Sequence, residues 1–228
     1  FSDNVQARTI VDFTINDLAA KKIAILHDKG DYGKGLAEFA KTYVEEDESV
    51  ELALYEGVTP GAVDYSAVVQ KIKRSGADAV IYGGYHPEAA KIVSGMKKKK
   101  MNIPFVSDDG VKDDTFIKIA GEYAEGVYAT GPIDVTANPI GKAAREAHRR
   151  EYGSEPGAFF DNAYTAALAL TNALIKAGGT ESEAVARVLR TEDVATPFGA
   201  LHFDDQGDTT GATLAIYRVV NGRYVPIR

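Results

Sequence analysis

Five short apolar runs recur along the first 130 residues, separated by stretches with helical periodicity. Lys22-Ile23-Ala24-Ile25-Leu26 is the first, followed by Glu51-Leu52-Ala53-Leu54-Tyr55, Ala79-Val80-Ile81-Tyr82-Gly83, Ile103-Pro104-Phe105-Val106 and Gly126-Val127-Tyr128-Ala129. Runs this short and this apolar fit strands buried on both faces. Helical patterns lie between them: residues 33–46 with Leu36, Phe39, Ala40 and Tyr43 on one face, 65–75 with Val68, Val69 and Ile72 inward, 88–96 after Pro87, and a short one at 114–119. A further helix, from about residue 2 to 18, opens the chain, with Ser2 or Asp3 as its cap. Strict strand–helix alternation with short loops implies an α/β chain, a parallel sheet flanked by helices on both faces.

After Thr130 the texture changes. Residues 140–152, 158–177 and 182–189 read as helices, the second rich in small residues. Residues 199–203 and 213–219 read as strands, and Asn221-Gly222 marks the turn of a terminal hairpin. The segment 131–203 therefore has helices but almost no sheet of its own. An apolar helix face needs a cover, and residues 1–130 already hold enough helices for their own sheet. Part of the cover is expected to come from outside this chain or from a second copy, making self-association through 131–203 an expectation. The domain reading is one lobe from 1–130 plus 208–228, and a helical part with its crossover at 131–207.

Bulk properties remove several classes of function. Net charge is −7, from 33 acidic and 26 basic residues. That balance disfavours nucleic acid or an anionic membrane as partner, since both need clustered cations. The one basic cluster, Lys97 to Lys100, suits a helix C-terminus. No run approaches the roughly 20 apolar residues of a membrane span. No signal peptide is visible, which leaves export open because a mature chain has lost it. With no cysteine, disulfides and thiolate sites are excluded. His27, His86, His148 and His202 are scattered without metal-ligand spacing, so neither a metal nor a cofactor is expected.

In an open parallel sheet, ligands sit outside the carboxyl ends of the strands. Three loops reach that edge: 27–35, 83–88 and 107–110. They offer Tyr32, Tyr85 beside a glycine pair, and Asp109 before Gly110. Two aromatic rings and a carboxylate suit a small ligand with a cationic amine and an apolar body. The plainer reading has both tyrosines capping the sheet edge and Asp109 capping the next helix. Gly30, Gly33 and Gly35 stand where a phosphate loop would, which admits a nucleotide-binding enzyme. However, their spacing is not Gly-x-Gly-x-x-Gly, no Gly-Lys-Ser/Thr follows, and Asp28 and Asp31 would repel phosphate.

The same residues resemble the leucine/isoleucine/valine-binding proteins, the substrate-binding components of branched-chain amino-acid ABC transporters, over essentially the whole chain. His27-Asp28-Lys29-x-x-Tyr32-Gly33-x-Gly35 looks like one signature loop, and Tyr82-Gly83-Gly84-Tyr85-His86-Pro87-Glu88, the most specific run, looks like a second. Ser107-Asp108-Asp109-Gly110 occupies the place of a third, and Phe198-Gly199-x-Leu201-x-Phe203-Asp204-x-x-Gly207-Asp208 is similar to the last crossover. The resemblance implies a type I periplasmic binding fold, with two α/β lobes clamping an amino acid. It implies no enzymatic activity and no catalytic residue. It gives Tyr32 and Tyr85 to closure over the ligand, Asp109 to the ligand ammonium, and Phe159 to the cleft. Many members have Glu where this chain has the shorter Asp109. An extracytoplasmic location and a permease partner follow from the same likeness. Family members also carry a further N-terminal stretch with the first lobe's sheet, so this chain reads as truncated, with weak amino-acid binding expected of it alone. A sensory domain of the same fold remains the alternative.

Overall fold

The computed structural model describes residues 2–210 and 214–227. It divides into two compact units: Ser2–Gly131 with Leu214–Arg228, and Pro132–Thr213 with the first residue.

The larger unit is built on a seven-stranded sheet. Its strands are β1 (Lys22–His27), β2 (Glu51–Gly57), β3 (Ala79–Gly83), β4 (Phe105–Ser107), β5 (Tyr128–Pro132), β8 (Leu214–Val220) and β9 (Arg223–Pro226). They lie in the order β2-β1-β3-β4-β5-β8-β9. The pairs among β1 to β5 are parallel, and β8–β9 is antiparallel. The helices are α1 (Asp3–Asp12), α2 (Asp31–Glu46), α3 (Ser66–Ser75), α4 (His86–Lys98) and α5 (Asp114–Ala120).

Alternation along the strands sorts the core into two layers. Ala24, Leu26, Val80 and Tyr82 face one side, packing with Val69, Ile72, Ile92, Met96 and Phe116. Ile23, Ile25, Ala79 and Ile81 face the other, against Ile10, Val11, Leu36, Ala37 and Ala40. Both sheet faces are covered, as the apolar runs require. After β2 the chain crosses to the opposite side of β1 to place β3, so the strand order reverses between β1 and β3. In sheets of this kind, ligands bind outside the carboxyl ends of the strands at such a reversal.

The boundaries differ from the sequence reading where a backbone device intervenes. Ser2 occupies the N-cap of α1 without making a side-chain cap, and the helix ends in a π-helical turn at Phe13–Asp17. The polar loop after β1 shrinks to residues 28–30, because α2 already begins at Asp31. Asp28 Oδ1 accepts from Gly30 N at 2.9 Å, and Lys29 takes a positive φ of 66°, which turns the chain in three residues. The cap of α5 is Asp113, accepting from Thr115 N, and not Asp109. Asn221 and Gly222 both have positive φ, the geometry of a type I′ hairpin turn. Thr213, expected to open β8, lies outside the described residues.

The smaller unit holds α6 (Pro139–Tyr152), α7 (Phe160–Ala177), α8 (Ser182–Thr191) and a two-stranded hairpin, β6 (Val194–Thr196) with β7 (Gly199–Leu201). β6 was not legible in the sequence. It forms because Thr196 Oγ1 accepts from Phe198 N at 3.1 Å and donates to Gly199 O at 2.7 Å, tightening the turn. Arg145 on α6 forms an ion pair with the buried Asp161 on α7, its Nε donating to Oδ1 at 3.2 Å. Among the described residues no helix is long and apolar enough to cross a membrane, and no group of His, Asp or Glu is placed to hold a metal.

Candidate functional site

Tyr32 lies in the first turn of α2, Tyr85 at the N-cap of α4 after β3, and Asp109 in the loop after β4. These positions lie at the carboxyl ends of the strands, on the edge where the strand order reverses, and the three side chains meet there. The rings of Tyr32 and Tyr85 are 5.7 Å apart, tilted by 47°. The Tyr32 hydroxyl donates to Asp109 Oδ1 at 2.6 Å. Phe159 is in the smaller unit, at the N-cap of α7 and 47% exposed.

A fourth group completes the constellation. Gln6, buried on α1, donates through Nε2 to Asp109 Oδ1 at 3.0 Å and to Thr130 Oγ1 at 2.9 Å. Asp109 Oδ1 is thereby held by two donors, while Oδ2 makes no hydrogen bond to the described residues. The carboxylate is fixed in direction with one oxygen still open. Tyr85 is 48% exposed and presents its ring beside it.

Backbone close approach makes this arrangement possible. A Cβ on Gly33 would lie 2.5 Å from Gly83 O, and one on Gly83 would lie 2.2 Å from Gly33 O. The first turn of α2 and the end of β3 therefore touch backbone to backbone, which brings Tyr32 within reach of Tyr85 and Asp109. Gly84 adopts φ 146°, out of reach of most side chains, and Gly110 packs close to Gly84 O. Asp108 locks the two loops together: Oδ2 accepts from Gly84 N at 2.7 Å and Oδ1 from Gly110 N at 3.0 Å.

The site is acidic. Burial pushes the Asp108 carboxyl well above the usual range, against its two amide donors. Burial, then the charge of Asp109, raises Asp3. Burial, then Asp108 and Asp109, keeps the Tyr32 phenol protonated and so a donor. A cation is favoured here and an anion is not. The phosphate-loop reading loses its geometry as well. The Gly30 amide is committed to Asp28, and Gly33 packs against Gly83.

Sequence reading missed Gln6, Thr130 and Asp108. Gln6 had a usable signal, because it precedes Ile10 by four and Phe13 by seven, on the apolar stripe of its helix. A polar residue on such a stripe needs a buried partner.

The periplasmic binding protein family profile matches residues 1–223. The leucine-, isoleucine-, valine-, threonine- and alanine-binding protein of Pseudomonas aeruginosa is 34% identical over 215 residues, covering 94% of this chain and 57% of that protein. The Leu/Ile/Val-binding protein of Escherichia coli is 30% identical over 218 residues, covering 94% and 58%. Among solved structures, a leucine-binding protein LivK from Thermotoga maritima superposes with a TM-score of 0.90 at 26% identity, covering all of this chain and 65% of that one. LivJ from Streptococcus pneumoniae, in complex with isoleucine, gives a TM-score of 0.81 at 27% identity, covering all of this chain and 66% of that one. The chain thus spans less than two thirds of these curated relatives' length. With a parallel sheet covered on both faces and a family match along nearly its whole length, the chain belongs to the periplasmic binding protein family.

Proposed function

We propose that this chain binds a small aliphatic amino acid, of the branched-chain class, as part of an extracytoplasmic substrate-binding protein that delivers it to an ABC transporter permease. The observation that carries the reading is the Asp109 carboxylate, held on one oxygen by Tyr32 and Gln6 and open on the other beside the Tyr85 ring. An ammonium pairs with the open oxygen, and the ring covers an aliphatic body. The names of the relatives, which bind leucine, isoleucine and valine, support the ligand class. Phe159, in the smaller unit, is proposed as a ligand contact on the family resemblance alone. The reading needs no catalytic residue.

Three carboxyl groups, Asp109, Asp108 and Asp3, gather at this edge, and the Tyr32 hydroxyl is already spent on Asp109. The ligand's own carboxylate needs donors from elsewhere in the protein. Leucine, isoleucine and valine are therefore expected to bind this 228-residue chain with a Kd of about 1 mM or weaker, roughly −4 kcal/mol. Calorimetric titration measures it. Micromolar affinity contradicts the partial-clamp account. Thermal stabilisation by a nucleotide, with none by amino acids, contradicts the ligand class.

The smaller unit is proposed to self-associate. Leu170 and Ile175 on α7, and Tyr152 on α6, are exposed apolar side chains on helices with little sheet to cover them. Light scattering should show a mass that rises with concentration. A monomer throughout contradicts this.

A further inference from the structure

The larger unit carries a second concavity, built from its helices. It lies where α3 and α4 meet the end of α5, opens to solvent and has a volume of about 420 Å³. None of Gln6, Tyr32, Tyr85 and Asp109 lines it. Small residues of α4 make room for it. The Ser94 hydroxyl turns back to donate to Ala90 O at 2.7 Å, and Gly95 lets α3 approach, since a Cβ there would lie 3.1 Å from Val69 Cγ2. Two apolar side chains of the lining stay exposed: Val63 at 95% and Ile119 at 49%.

Three lysines line the same cleft: Lys91, Lys98 and Lys99. None of them forms an ion pair among the described residues. Each is held by a neutral neighbour instead. Lys91 Nζ donates to Ala62 O at 2.8 Å, Lys99 Nζ donates to Gln70 Oε1 at 3.2 Å, and Lys98 Nζ lies 5.9 Å from the centre of the Tyr123 ring. An ammonium has three protons to donate, so these contacts order the lysines without exhausting them. The one carboxylate in the lining, Asp64, already accepts from the Ser66 amide at 2.9 Å and the Ser66 hydroxyl at 2.5 Å.

We propose that this cleft docks a segment of a partner protein in which acidic residues flank an apolar one. Its carboxylates pair with Lys91 and Lys98, and its apolar side chain covers Val63 and Ile119. Charge complementarity carries the choice: a positive cleft in a chain of net charge −7 is a local address for an anion. The spacing decides the form of that anion. Lys91 and Lys98 start two turns apart on α4, about 10 Å along its axis. Their anchors lie in opposite directions along the chain, before α3 and after α5. Ammoniums tethered apart in this way suit carboxylates strung along a peptide better than one compact phosphate, which needs converging donors.

An anionic bilayer fits less well. The surface is concave where a bilayer is flat, and the net negative charge of the chain opposes its approach. The basic run at residues 97–100 thereby gains a role beyond the end of its helix. The docking uses none of the groups at the strand edge, so it stands apart from the proposed function.

Amide chemical shifts of the 228-residue chain test it. The probe is the peptide Glu-Ala-Leu-Ala-Glu, acetylated and amidated at its ends, whose glutamates and leucine share one face when extended. Saturable shifts are expected at the amides of Ser66, Ser94, Lys98 and Ile119, with Tyr32 and Tyr85 unmoved. Added sodium chloride should weaken them. Lys91→Gln combined with Lys98→Gln should weaken binding by about tenfold with the urea midpoint kept. Three comparisons on the wild-type chain need no variant. The same peptide with lysines for glutamates, inorganic phosphate, and vesicles of phosphatidylglycerol should each leave the four amides in place. No saturable shift with the acidic peptide overturns the proposal. So does an equal response to the basic peptide, to phosphate or to the vesicles.

Discussion

Gly83→Ala is expected to destabilise the protein by about 3 kcal/mol, the upper end of what overpacking costs. The added methyl would lie 2.2 Å from Gly33 O and 3.1 Å from Gly33 C. Both are backbone atoms, so no side-chain rotation relieves the clash. The sheet end and the first turn of α2 must separate instead, and Tyr32 moves away from Tyr85 and Asp109 as they do. Gly35→Ala, two residues beyond Gly33 on the same helix, is the matched control. Nothing lies within 4 Å of its would-be Cβ, so alanine is expected to stabilise there by up to about 1 kcal/mol through helix propensity. Urea denaturation of both variants measures the contrast. Equal effects, or a tolerated Gly83→Ala, contradict the backbone contact on which the site is built.

The second large effect belongs to Asp109→Asn. Asparagine keeps the length of the side chain, and its oxygen still accepts from Tyr32 and Gln6. Only the charge and one acceptor are lost. Hydrogen bonds to charged groups contribute about 1.5–3 kcal/mol, so ammonium ligands should lose about tenfold to a hundredfold in affinity. Asp109 is half-buried, and screening by salt places the effect toward the lower figure. Stability should hardly fall, because Asp3 and Asp108 no longer face a neighbouring negative charge. That split, affinity lost and fold kept, separates a binding role from a structural one.

The parallel sheet was legible because its central strands β1, β3 and β4 are buried on both faces and so appear as short apolar runs, while the edge strand β2 is only partly buried. Ile23-Ala24-Ile25-Leu26 supplies both cores by simple alternation. The three edge groups were legible because ligands of such a sheet sit at the strand carboxyl ends, which singles out the polar side chains in those loops. Part of what the sequence hid was long-range. Gln6 reaches Asp109 across 103 residues and Thr130 across 124, through a fold that local periodicity does not encode. Helix α2 begins earlier than read because an Asx turn, with Asp28 Oδ1 accepting from Gly30 N two residues on, shortens the loop, a local signal that the reading passed over. The small hairpin of β6 and β7 escaped because its turn depends on one threonine hydroxyl.

The claim on which the rest depends is that Asp109 selects a ligand by its ammonium, with Tyr32 and Tyr85 around it. Amide chemical shifts of the 228-residue chain, titrated in parallel with leucine and with 4-methylpentanoate, test it most directly. The second compound keeps the aliphatic body and the carboxylate but lacks the amine. Leucine is expected to produce saturable shifts at the amides of Tyr32, Tyr85 and Gly110, with far smaller ones from 4-methylpentanoate and from leucine on Asp109→Asn. Equal responses to both compounds, or shifts confined to residues away from these loops, would contradict it.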